Sequence, residues 1–155
     1  MSDIQCILNH YGSVLNGPSW HGDPIWEILD GISPEAAAAR PPNGGHTIWE
    51  IVMHMIFWEG VATQRLARQR AGLVEELNFP AMPAATDENW KQTLDQFRAS
   101  NQQFRAALAK LDPARLDELT AAGKRSYYGE AHGAIEHTVY HGGQIALLRK
   151  KSTPA

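Results

Sequence analysis

AHGAIEHTVYHGGQIALLRK, residues Ala131 to Lys150, is a run of helical periodicity that carries two histidines four positions apart, His137 and His141. At 3.6 residues per turn, a four-residue step turns about 40° beyond a full revolution and rises about 6 Å, so both imidazoles leave one face. With His137 at 0° on a helical wheel, Ala134, Ile145 and Leu148 fall between about 20° and 80°, which sets the pair on the core-facing stripe. Two neutral imidazoles there need partners, because an unpaired buried polar group costs roughly 1–3 kcal/mol. A shared divalent ion is one solution, and hydrogen bonds to neighbouring side chains are another. The pair alone leaves both open. Gly142 and Gly143 follow directly, and each costs about 1 kcal/mol relative to Ala in a helix interior. That cost points to close approach by another helix or by a substrate.

Working outward, the rest of the chain is also helical in pattern. Ile4, Ile7, Leu8, Tyr11 and Leu15 have helical spacing, ended by Asn16-Gly17-Pro18. Asp23-Pro24 reads as N-cap and first helical residue of a short helix to Asp30, and Ser33-Pro34 starts another through Arg40. Pro41-Pro42-Asn43-Gly44-Gly45 is a break. Thr47 and Glu50 form a capping box for a long helix predicted to run to Gln69 or Arg70. A loop spanning Gly72 to Thr86 follows, long enough to suggest a crossover or a functional cover. Thr86 caps a third long helix to Leu111, with Trp90, Leu94, Phe97, Phe104, Leu108 and Leu111 inward. Asp112-Pro113 begins a helical turn through Leu119, and Gly123 to Ser126 lead into the final helix. With no strand signal, the pattern predicts an all-α fold in a single domain, residues 1–155. It is a four-helix bundle with a crossover-type connection between the second and third long helices.

Composition narrows the function classes. The chain has 155 residues, 43% hydrophobic and 20% charged, with a net charge of −3. That balance suits a globule and argues against nucleic-acid binding, which needs a basic stripe. The lone Cys6 cannot form an internal disulfide, and no apolar run is long enough for a membrane span, so a cytoplasmic location is expected.

A third ligand should come from a facing helix, and His54 is the best candidate. On its own helix it sits on the shoulder of the apolar stripe of Ile51, Met55, Trp58 and Ala62, which also suits an ordinary boundary histidine. Three histidines on one metal would leave positions for water or substrate, as in catalytic sites. Gln144 and Glu130 each lie about 20° from His137, placed to orient an imidazole or a bound water. Glu136 and Tyr140 are displaced toward a helix–helix contact. Glu59, about 140° from His54, reads as a boundary residue reaching water, with a general base as the less ordinary alternative. His132 faces away from the pair, His46 belongs to a helix terminus, and His10 and His21 have no spacing partner.

Two stretches together resemble a known family. GAIEHTVYHGGQI (Gly133 to Ile145) is similar to the last-helix signature of the DinB-like (damage-inducible, YfiT-type) superfamily, and HTIWEIVMHMIFWE (His46 to Glu59) resembles its second-helix motif. Order, spacing and intervening length agree over essentially the whole chain. The resemblance implies a four-helix bundle in which His54, His137 and His141 bind one divalent metal, zinc or nickel. It also implies kinship with thiol-dependent transferases and isomerases that use bacillithiol, mycothiol or glutathione, and with proteins that are often homodimers. The expectation is therefore a metal-dependent enzyme, a thiol-dependent S-transferase or isomerase acting on small electrophiles with a low-molecular-weight thiol as cosubstrate. A metal-dependent hydrolase, or a non-catalytic metal- or ligand-binding bundle, is the alternative. The family's name concerns expression and implies no DNA binding.

Overall fold

A computed structural model describes residues 2–42, 44–69 and 77–151. Among these the chain forms α1 (Asp3–Asn16), α2 (Ile25–Leu29), α3 (Pro34–Ala38), α4 (Ile48–Leu66), α5 (Asp87–Ala109) and α6 (Tyr127–Lys151), with a 3₁₀ turn at Pro113–Arg115. The one extended pairing among the described residues is an isolated bridge between Leu119 and Ser126. No helix is long and apolar enough to cross a membrane.

The long helices α1, α4, α5 and α6 make the bundle. α4 packs against both α5 and α6, and α1 packs against the same two from the opposite corner. Side-chain pairing gives the directions. Near the start of α4, Trp49 donates to Thr93 Oγ1 at 2.9 Å; ten residues on, Glu59 accepts from Asn101. α4 and α5 are thus parallel neighbours, so the connection between them must travel back along the bundle, the predicted crossover. α4 and α6 are antiparallel, with His54 near His137 and Arg65 near Glu130. The core holds Tyr11, Trp49, Phe97, Phe104, Ile135 and Ile145, all fully buried. Its two indoles are satisfied, because Trp90 Nε1 donates to the Ile32 carbonyl at 2.8 Å as Trp49 does to Thr93.

Several ends differ from expectation. The capping box is present, with Thr47 Oγ1 accepting from the Glu50 amide and Glu50 accepting from the Thr47 amide. The helix it opens stops at Leu66, short of Gln69, because Arg68 takes a left-handed conformation (φ 64°). Gln69 N–H then donates to Gln64 O and Arg68 N–H to Arg65 O, a Schellman closure with an arginine where glycine is usual. α2 begins at Ile25 with Pro24, not Asp23, in the capping position; the Pro24 carbonyl takes the first-turn bonds from Glu27 and Ile28. α3 ends at Ala38, α5 ends at Ala109, and the helical turn expected through Leu119 is only the 3₁₀ turn. Residues 70–76 of the loop lie outside the described residues.

The paired glycines of α6 have different surroundings. A Cβ on Gly142 would stand 2.5 Å from Cδ1 of the fully buried Ile25, whereas one on Gly143 would meet nothing within 4 Å. The bare backbone at Gly142 lets α2 seat directly on α6. Gly142→Ala is therefore expected to destabilise the protein, because overpacking of about 1–3 kcal/mol outweighs a helix-propensity gain of about 1 kcal/mol. Gly143→Ala should stabilise by up to about 1 kcal/mol. Urea unfolding of the two variants should show opposite signs; stabilisation in both would mean that Ile25 yields freely.

Candidate metal centre

The antiparallel crossing of α4 and α6 brings the three sequence-selected histidines together. His137 Nε2 lies 3.1 Å from His54 Nε2 and 3.0 Å from His141 Nε2. One ring nitrogen from each residue falls within 4.8 Å of the others, and this is the one group of three or more potential metal-ligating side chains of that compactness among the described residues. His54 and His141 are buried, and His137 is half-buried. His132 is elsewhere, with its ring 4.3 Å from Tyr128 and 6.3 Å from His10, a helix contact.

Hydrogen bonding on the far side of two rings fixes what the cluster offers. His54 Nδ1 is 3.0 Å from the Asn78 carbonyl, which can only accept, so that nitrogen carries the proton and Nε2 presents a lone pair. His141 Nδ1 is 2.7 Å from Gln144 Oε1, which assigns the same tautomer when the amide is oriented with oxygen toward the ring. His137 Nε2 then faces two acceptors and has at most one N–H to give. At least one buried lone pair stays unserved by the protein, and a cation among the three nitrogens satisfies all of them. A tetrahedral ion with metal–nitrogen bonds of about 2.0–2.1 Å needs its nitrogens roughly 3.3 Å apart, close to the two spacings from His137 Nε2. The residues fit a metal.

Charge points the same way. Burial lowers the pKa of all three histidines. For His137, burial together with the neighbouring His141 and His54 pushes it down to about 4. The imidazoles are therefore neutral at pH 7, the state in which histidine binds metals.

Loop residues that helical periodicity did not single out complete the surroundings of His54. Besides accepting from His54 through its backbone, Asn78 accepts from Trp58 Nε1–H through Oδ1 at 2.7 Å. Phe79 is sandwiched between two histidine rings, 4.3 Å from His54 and 3.7 Å from His46. The loop does cover the site, through these two residues. An Asn-Phe-Pro triplet carries no spacing that would have marked it; a polar residue in a long loop after the His54 helix was the only hint.

Three expectations need correction. Glu130 is engaged away from the imidazoles, its Oε1 accepting from Arg65 at 2.9 Å, because α4 brings that cation opposite it. Glu136 and Tyr140 are exposed and line the cavity beside His137 instead of being buried in a helix–helix contact, since α4 crosses the α6 face bearing His137 and His141. Glu59 is not a boundary residue: it is 5% exposed, because α1 and α5 close over it with polar partners. Tyr11 Oη–H donates to Oε1, and Asn101 Nδ2 donates to both carboxylate oxygens at 3.0 and 3.1 Å. Burial nonetheless pushes the Glu59 carboxyl up to about 7. Glu59 and His137 line one cavity of about 680 Å³ between α4, α6 and the turn before α6, whose walls include Trp58, Arg65, Arg125 and Tyr140. That size suits a small molecule.

An all-helical bundle with three neutral histidines converging beside an open cavity defines a candidate metalloprotein. The sequence model of the DinB superfamily matches residues 20–145, and the chain belongs to that superfamily. No curated protein matches the chain.

The raised Glu59 pKa has a definite pH signature. A carboxyl at 4.5 when unfolded and about 7 when folded is protonated only in the folded state between those values. Stability from that proton is full below pH 4.5 and lost as pH rises through about 7, a change of roughly 3 kcal/mol. The lowered histidine pKa values act oppositely over an overlapping range, so the comparison must be with Glu59→Gln. Between pH 4.5 and 8, urea unfolding should show the variant gaining roughly 3 kcal/mol relative to wild type. A pH-independent difference would mean that Glu59 is ionised throughout.

Proposed function

We propose that the protein is a divalent-metal-dependent enzyme in which His54, His137 and His141 hold a zinc or nickel ion beside the cavity lined by His137. The reaction proposed is thiol-dependent transfer or isomerisation on a small electrophile, with a low-molecular-weight thiol as cosubstrate. One observation carries the metal-binding part of this reading: three ring nitrogens, with His137 Nε2 at 3.1 and 3.0 Å from the other two, and those two fixed as lone-pair donors by Asn78 and Gln144. When bound there, the ion would supply Lewis acidity and hold a thiol in its nucleophilic, deprotonated form. Three protein ligands from two helices leave coordination open, the arrangement of catalytic and not of closed structural sites.

The chain's own residues divide the remaining work. Asn78 and Gln144 fix ring orientation and tautomer, so the lone pairs point inward before any ligand arrives. Trp58 holds Asn78 in place, and Phe79 covers one face of His54. The cavity gives an electrophile room next to His137, with the Trp58 and Tyr140 side chains as apolar walls.

Metal analysis of single variants is the direct check. Wild-type protein should take up one equivalent of zinc and melt at a higher temperature when loaded. His54→Ala, His137→Ala and His141→Ala should each lose stoichiometric zinc and its effect on melting, while Gln144→Leu should weaken zinc binding by about 10–100-fold. Full zinc retention in any one His→Ala variant removes that residue from the set. Turnover of a chlorodinitroarene by loaded protein with bacillithiol, mycothiol or glutathione should vanish in the same three variants. No turnover with any thiol would leave a metal-binding bundle without this enzymatic role.

A further inference from the structure

The cavity beside His137 has a basic end that the three histidines do not explain. Lys124 and Arg125 line it from the turn that precedes α6, and both side chains are exposed. Neither head group has a hydrogen bond or an ion pair among the described residues. The third cation on this wall, Arg65, is different: its Nη1 is bound to Glu130, while its Nε is buried without a partner.

The position of Arg125 depends on a glycine. Its guanidinium lies across the bare backbone of α6 at Gly133, where an added Cβ would stand 2.6 Å from Nη1. Gly133, His137 and His141 succeed one another at four-residue steps along one stripe of α6. The guanidinium is thus laid along the same helix face as the imidazoles, about one turn, or 6 Å of rise, before His137. Glycine in a helix interior is unfavourable, and here it leaves room for a flexible cation to lie flat and point into the cavity.

Local charge sets the ligand. Glu130 is taken by Arg65, and Glu59 is enclosed by Tyr11 and Asn101, so Glu136 is the one carboxylate on this wall left to offset Lys124 and Arg125. Two cations against one carboxylate leave an excess of a single positive charge. A planar guanidinium with a free fork, backed by an ammonium, matches one carboxylate better than a doubly charged phosphate.

We propose that this cavity takes a small molecule bearing a carboxylate, which Arg125 and Lys124 anchor so that the molecule's other end reaches the three-histidine cluster. The orientation toward the cluster rests on the metal-dependent reading above; the anchor itself does not. Arg125 and Lys124 bind and position the ligand, and Gly133 serves by making room for the guanidinium.

The test compares two probes that differ only at one end, 6-mercaptohexanoate and 6-mercaptohexanol, by calorimetric titration of zinc-loaded and of chelator-treated protein. Wild-type protein should bind the carboxylate about tenfold more tightly than the alcohol, with or without zinc. Arg125→Ala/Lys124→Ala should reduce that preference to less than about twofold, by weakening the carboxylate far more than the alcohol. Gly133→Ala should keep the fold, since only the far end of a flexible side chain must move, and should also erode the preference. An equal affinity for both probes, no binding of the carboxylate, or a preference that survives the double substitution overturns the anchor. Zinc should tighten both thiols together; a carboxylate preference without any effect of zinc would keep the anchor and reject the metal reading.

Discussion

Three imidazoles packed against one another, two of them buried and one half-buried, are unfavourable unless all are neutral and their lone pairs have something to meet. That constraint organises the α4–α6 side of the molecule. Burial removes the charge, and His137, pushed down to about 4 mainly by burial, is pressed further by the other two rings. The backbone of Asn78 and the amide of Gln144 then commit the outer nitrogens, which turns the inner ones toward a common point. A protein that only needed to fill this space could have used leucine at far less electrostatic cost.

Bringing the rings together requires a particular bundle. α4 must run antiparallel to α6 so that His54 faces His137 and His141, yet it runs parallel to α5. The parallel pairing forces the chain after Leu66 to return along the bundle, and the returning segment delivers Asn78 and Phe79 onto His54. Topology and site are therefore linked: a short turn between α4 and α5 would give an antiparallel pair and leave His54 without its carbonyl acceptor. The Gly142–Ile25 contact serves the same face from behind by fixing α2 against α6.

Much of this was legible in the sequence, for physical reasons that can be named. Long helices announce themselves through period and caps, so Thr47, Thr86 and the breaks around them located α4 and α5 to within a few residues. The i, i+4 histidines marked α6, while the shoulder position of His54 made it a candidate that only the resemblance of the stretch from His46 to Glu59 to a family motif turned into a third ligand. Spacing alone could not tell a shared ion from ordinary hydrogen bonding. What stayed hidden depends on more than one helix at a time. Glu59 looks like a boundary residue on the α4 wheel and becomes buried only when Tyr11 and Asn101 arrive from two other helices. Glu130 sits at the right angle for His137 and is claimed by Arg65 from across the interface. Arg68 ends α4 in a conformation that its side chain does not advertise, and Asn78 acts mainly through its carbonyl, which every residue possesses.

The central claim is that a single ion is shared by donors from α4 and α6. Anomalous diffraction from crystals grown with zinc, collected on both sides of the zinc absorption edge, tests it most directly. The account predicts one strong edge-dependent peak within about 2.0–2.1 Å of Nε2 of His54, His137 and His141. No peak there, or one touching only the two α6 histidines while His54 Nε2 is hydrogen-bonded elsewhere, would contradict it.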